Sequence, residues 1–266
     1  MAEIAVRNVR FSFENALDLD RPQHELSKMV FPLALSMTLP YLEPYLIRTM
    51  KVALKRISDP ELIEDVRRFS QQEGHHYRNH AALNDTLRAH FDPAIADRLR
   101  EIEADLEADY QRFSRSKRLR FNVAYAEGFE AMTCAVALAA VEHGVFDDQA
   151  MLPGGEVWAW HMAEEIEHRT VAFDVFEHLV GRYLYRIAVG TWSQRHYLGY
   201  IGRFTRCLAE GLGCEPERSA SPVQRTALRR YLRTWSPWYD PAKIEAPPGV
   251  GELLSRFSAL AESGSG

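Results

Sequence analysis

The stretches Gln72-Glu73-Gly74-His75-His76 and Trp160-His161-Met162-Ala163-Glu164-Glu165-Ile166-Glu167-His168 each contain a Glu-x-x-His, and this repetition decides how the chain is read. At about 100° per residue, positions i and i+3 of a helix project from one face, so each pair can grip one cation while other helices complete its shell. A single Glu-x-x-His is usually a solvated surface pair. Two of them call for one further Glu from each of two more helices. Glu43 lies in Leu39-Pro40-Tyr41-Leu42-Glu43-Pro44-Tyr45-Leu46-Ile47, and Glu130 in Gly128-Phe129-Glu130-Ala131-Met132-Thr133-Cys134-Ala135-Val136. Both stretches are otherwise apolar, and a carboxylate buried there is costly unless it is paired or bound to a cation. Each lone Glu precedes a Glu-x-x-His by a similar length of chain, so the sequence reads as two copies of one half-site.

His161 extends the second motif to His-x-x-x-Glu-x-x-His, whose three directions fall within about 60° of arc. The expected metal ligands are therefore Glu43, Glu73, His76, Glu130, His161, Glu165 and His168. His80 continues the face of Glu73 and His76, as an extra ligand or as a catalytic residue that orients a ligand or moves a proton. Glu164 and Glu127 stand in reserve for Glu165 and Glu130; otherwise Glu164 and Glu167 read as a solvated face or as support for the ligands. His75 and His143 read as without a role, and Trp158, Trp160 and Phe69 as core.

The rest of the chain fits one all-α domain over residues 1–266. Asp59-Pro60 and Asp92-Pro93 mark helix starts, because Asp caps free amides and Pro suits the first helical position. Helices are expected at about 26–57, 60–90, 93–116, 118–143, 155–180, 183–212 and 222–235, with a break at Pro153-Gly154-Gly155. Residues 1–25 read as an N-terminal extended segment, with Val6, Val9, Phe11 and Phe13 laid across the bundle. Residues 236–266 read as an irregular strap and tail.

A hydrophobic content of 46% points to a globular protein, and a formal charge of -5 gives no basic patch for nucleic acid. Cys134, Cys207 and Cys214 fit neither a disulfide framework nor a paired zinc spacing, so they read as reduced thiols in a cytoplasmic protein. No secretion signal is visible in the first residues, and the apolar run from Ala131 to Val141 is short for a bilayer. The helix at 183–212 mixes aromatic residues with arginines. It reads as a packed outer helix rather than a membrane surface, with a homodimer face as the alternative.

From about Val6 to Pro241 the chain resembles the bacterial family of predicted metal-dependent hydrolases, whose members carry a ferritin-like fold. The resemblance rests on Pro-x-x-Glu at 40–43, Gln-Glu-x-x-His-x-x-x-His at 72–80, Glu-x-x-Thr at 130–133 and Trp-His-x-x-Glu-Glu-x-Glu-His at 160–168. It implies an all-α, ferritin-like four-helix bundle core with additional helices. The ligand pattern is also similar to that of the diiron arylamine N-oxygenases, which implies Glu43, Glu73 with His76, Glu130, and His161 with Glu165 and His168 as ligands. Two departures stand out: Pro44 follows Glu43 directly, and Trp238-Tyr239-Asp240-Pro241 stands where an aromatic-His-Pro element is expected.

A donor set of carboxylates and imidazoles without thiolates suits two Fe ions, with Mn or mixed Fe/Mn as the alternative. The leading expectation is a diiron oxygenase or oxidase that uses O2 to oxidise a small, largely apolar organic substrate, with an electron donor where one is needed. The alternatives are a dimetal-dependent hydrolase built from the same residues and a non-catalytic iron-binding or ferroxidase-type protein.

Overall fold

The computed structural model describes residues 4–13, 21–147, 154–217 and 220–263. Ten α-helices follow one another among these residues: α1 (Gln23–Ser36), α2 (Leu39–Ala53), α3 (Pro60–Ala89), α4 (Pro93–Ser116), α5 (Leu119–Glu142), α6 (Gly155–Glu167), α7 (Val171–Leu179), α8 (Tyr183–Gly211), α9 (Pro222–Arg233) and α10 (Val250–Ser263). No strand forms among the described residues, and the architecture is an all-α bundle. Residues 1–3 and 14–20 of the N-terminal segment, Pro153 of the expected break and the tail at 264–266 lie outside the described residues.

The two Asp-Pro pairs start helices as expected. Asp59 accepts from the amides of Glu61 and Leu62, and Asp92 from the amide of Ile95. Gly154 begins α6 with φ +65°, in the left-handed region, where a Cβ would press against Leu83 and Val157 at 3.2 Å.

Two expected helices are broken. The helix expected over 26–57 divides at Met37 and Thr38 into α1 and α2. Pro40 has no N–H to offer the carbonyl of Ser36, and the side-chain amide of Asn84 donates to that carbonyl instead at 2.9 Å. The helix expected over 155–180 divides into α6 and α7, with His168 closing α6. A further correction falls at the C-terminus. The expected irregular tail contains α10, whose Phe257 is fully buried and whose face packs on α6 and Phe11.

Helices α2, α3, α5 and α6 enclose the centre: α2 packs on α3, α5 packs on α6, and the pairs meet through α2 with α5 and α3 with α6. The most enclosed of these is α5, which is also covered by α7, α8 and α9. Two stretches, Gln23–Arg56 and Leu119–Glu142, are long and apolar enough to cross a membrane by length and composition. Their most apolar windows are 61% and 89% buried within the protein, as in core helices. Residues 4–13 form neither helix nor strand and lie against α3 and α6. Asn79 and Gln72 bond their backbone at Val9, Phe11 and Ala5. Val9 and Phe13 are buried and Phe11 packs on Trp160, as expected, whereas Val6 faces outward and Arg7 is buried.

The approach of α5 to α8 depends on two glycines. A Cβ on Gly128 would stand 2.4 Å from Gly190 Cα, so the helices would have to separate two residues from Glu130. Gly128→Ala should lower stability by about 1–3 kcal/mol through overpacking. Gly199→Ala, on the same α8 and with nothing within 4 Å of the new Cβ, should raise it by about 0.5–1 kcal/mol. Urea unfolding of the two variants checks this pair; equal midpoints would contradict the close-approach argument.

Candidate metal centre

Four helices aim their charged residues into one buried space. Glu43 comes from α2, Glu73 and His76 from α3, Glu130 from α5, and His161, Glu165 and His168 from α6 and its last turn. The seven side chains are between 0 and 4% exposed. They form two groups that can hold a metal ion: Glu43, His76 and His161 in one, and Glu73, Glu130, Glu165 and His168 in the other. Within each group, one ligand atom per residue lies within 4.8 Å of the others.

Two carboxylates stand between the groups. Glu165 Oε1 lies 2.9 Å from His161 Nε2 in the first group, and its Oε2 lies 3.3 Å from His168 Nε2 in the second. Glu73 Oε1 is 3.6 Å from His76 Nδ1 and 3.5 Å from His168 Nε2. Glu130 Oε2 approaches His168 at 3.4 Å, and Glu43 Oε1 approaches His161 at 3.7 Å.

Unmet bonding capacity collects in the same space. Both oxygens of Glu43, Oε1 of Glu73, Oε1 of Glu130 and Nδ1 of His76 are buried without a hydrogen-bond partner. Each buried polar atom left unpaired costs about 1–3 kcal/mol, and more when charged. Cations in the two groups would give these atoms partners, so the residues present fit a pair of metal ions. The donors are carboxylate oxygens and imidazole nitrogens with no thiolate, a hard set.

The electrostatics follow from crowding. Burial, reinforced by repulsion from Glu73, Glu165 and Glu130, pushes the Glu43 carboxyl well above its usual range. Burial and then Glu165 raise Glu130 well above it, and Glu73 to about 8. Glu165 goes the other way. Burial alone would raise it, but His168 and the hydrogen bonds from His161 and His168 hold it well below the carboxylate range. Burial opposes charge on His168 too, but Glu165 and Glu130 lift it well above the ordinary imidazole value.

Each imidazole is anchored on its far side, which sets the direction of its near nitrogen. His76 Nε2 meets Glu164 Oε2 at 2.9 Å, and Arg7 holds the other oxygen of Glu164 at 3.0 Å. His168 Nδ1 meets Gln72 Oε1 at 2.9 Å. The Gln72 amide nitrogen donates to the Ala5 carbonyl at 2.9 Å and to Glu167 at 2.7 Å, which fixes which end of the amide faces His168. His161 Nδ1 meets His80 Nε2 at 2.8 Å. Trp160, Phe69 and Trp158 pack against His76, His168 and His80 respectively, with ring centroids 4.6 to 4.8 Å apart.

All seven expected ligand positions therefore meet in one place, and His80 stands behind His161, outside both groups. Neither reserve residue joins the groups. Glu127 pairs with Arg186 at 2.9 Å, and Glu164 serves His76. Glu164 and Glu167 do not form a solvated face: Glu164 is fully buried, and Arg7 and Gln72 cover Glu167. Arg7, Gln72, Ser36 and Asn84 carried no assigned role in the sequence. Gln72 precedes Glu73 directly, and Asn84 continues the helical face of 73, 76 and 80, so both had a detectable signal. Arg7 and Ser36 had none.

A family model described as predicted metal-dependent hydrolase matches residues 5–245. Compared with curated proteins and with solved structures, the chain has no significant match. The family match corrects the expected reaction: its description is hydrolysis, so the oxygenase or oxidase assignment gives way to the hydrolase alternative.

The crowding sets a pH dependence. Glu43, Glu73 and Glu130 have folded-state pKa values above their unfolded ones, so their contribution is present at low pH and lost as pH rises through the folded values, about 8 for Glu73. Metal-free protein should lose thermal stability as pH rises through that window, and Mn(II) should restore it while releasing protons. Thermal scans across pH, with and without Mn(II), check this. A metal-free midpoint that holds steady or climbs would contradict it.

Proposed function

We propose that this chain, which belongs to the family of predicted metal-dependent hydrolases, is a hydrolase that works through two divalent metal ions held between α2, α3, α5 and α6. The observation that carries the reading is the convergence of unpartnered buried carboxylate oxygens on two adjoining donor groups. Such a paired site in a four-helix core is of the ferritin-like kind, with one Glu from each of two helices and a Glu-x-x-His from each of the others. Two ions there would lower the pKa of a bound water and neutralise charge on the leaving oxygen.

The residues divide the work by position. Glu43, His76 and His161 would hold one ion, and Glu130 and His168 the other, with Glu165 and Glu73 spanning both. Glu164 and Gln72 keep the His76 and His168 rings turned toward the ions. Trp160 and Phe69 keep bulk water from those rings, which strengthens every charge interaction inside. The hard donor set favours Fe(II) or Mn(II) over softer ions. Full burial suits a small, largely apolar substrate rather than a polymer.

Chelated protein reloaded with Mn(II) or Fe(II) should cleave one or more simple ester, amide or phosphoester probes, and EDTA should abolish the activity. Glu165→Ala should lower turnover by more than about 100-fold, beyond the loss expected from a supporting contact alone. A reloaded protein that binds two ions tightly yet cleaves no member of such a panel would count against hydrolysis. A Glu165→Ala variant with full turnover would remove the centre from the reaction.

A further inference from the structure

A run of hydrogen bonds leads away from His161 to the break between α1 and α2. His161 Nδ1 meets His80 Nε2 at 2.8 Å, His80 Nδ1 meets Ser36 Oγ at 2.9 Å, Ser36 Oγ donates to Asn84 Oδ1 at 2.7 Å, and the Asn84 amide donates to the Ser36 carbonyl at 2.9 Å. The four residues are at most 1% exposed. Burial leaves these groups to satisfy one another.

The direction of every bond in this run follows from its last acceptor. A carbonyl oxygen can only accept, so the amide nitrogen of Asn84 must face Ser36 O and its oxygen must face the Ser36 hydroxyl. That hydroxyl therefore spends its one proton on Asn84 and presents a lone pair to His80. His80 must then carry its proton on Nδ1. Among the described residues no carboxylate forms an ion pair with His80, so the ring is a neutral imidazole whose Nε2 accepts from His161 Nδ1–H. The Nε2 of His161, which faces Glu43 and lies 2.9 Å from Glu165 Oε1, is then the nitrogen on which a cation would take the place of a proton.

We infer that Asn84, Ser36 and His80 form a one-way hydrogen-bond relay that fixes the tautomer of His161 and thereby tunes the metal group made by Glu43, His76 and His161. This rests on the dimetal reading above. The anchor of the relay exists because Pro40 cannot bond the Ser36 carbonyl, so the helix break and the ligand's tautomer are one arrangement. Ser36, Asn84 and His80 are positioning residues: none belongs to either donor group.

Two measurements on the full chain test the relay. The first is long-range 15N–1H correlation NMR on histidine-labelled, metal-free wild type, which reads imidazole tautomers without any metal or variant. His80 is expected as the Nδ1–H form; the Nε2–H form would overturn the relay. The second is Mn(II) titration followed by EPR, comparing wild type with Ser36→Ala. Loss of the hydroxyl frees His80 to donate from Nε2, which leaves His161 with its proton on the wrong nitrogen. One of the two ions should bind about 10- to 100-fold more weakly and the other as before. Equal weakening of both, or of neither, would overturn the relay. Failure of the functional reading looks different. A wild type that binds no Mn(II), or binds two ions without hydrolysing any probe, would sink that reading and leave the tautomer measurement to decide the relay.

Discussion

Four carboxylates and three imidazoles share one buried space between four helices, and the rest of the structure is arranged around the cost of that choice. Burying an ion without compensation costs several kcal/mol even after relaxation, and like charges add to it. The opposed shifts of Glu165 and its neighbours show the conflict. One carboxylate is held ionised by His161 and His168, while Glu43, Glu73 and Glu130 are driven toward their neutral forms. The unpartnered oxygens of Glu43, Glu73 and Glu130 mark where cations would offset that cost.

This cost explains why the centre was legible in the sequence. Charges on apolar helices are rare because they are expensive, so Glu43 and Glu130 stand out against their neighbours, and the i, i+3 pairs stand out by repetition. Helix starts at Asp59 and Asp92 were legible for a local reason, since the capping residue and the proline are adjacent. The broken helices were not. Pro40 and Pro44 can sit in the first turn of a new helix or inside a kinked old one, and only the partner waiting at Asn84 decides between them. Likewise α10 follows a run of prolines and glycine, and its few buried positions, Val250 and Phe257, leave a weak pattern over a short segment.

The supporting residues were harder still, because support is a long-range property. Arg7 acts on a residue of α6, and Ser36 acts through His80, at sequence distances no spacing rule covers. Glu164 shows the limit from the other side. It lies four residues before His168, which made it a reserve ligand, yet its neighbour Glu165 reaches His161 with one oxygen and His168 with the other, while Glu164 reaches the outer nitrogen of His76. One residue of helical rotation, about 100°, separates the two roles.

The three imidazoles obey a common rule that goes beyond any one of them. Each is fixed on its outer nitrogen by a chain ending at a group that can only accept: the Glu164 carboxylate for His76, the Ala5 carbonyl through Gln72 for His168, and the Ser36 carbonyl through Asn84 for His161. Ala5 lies outside any helix and Ser36 ends a broken one, so both carbonyls are ones that regular helical bonding leaves open. Irregular backbone at the margin of the bundle thus supplies the fixed polarity that a regular helix, with its carbonyls already engaged, would withhold. The bundle provides the directions of the ligands, and the interruptions in it supply the acceptors that hold the outer nitrogens of His161 and His168.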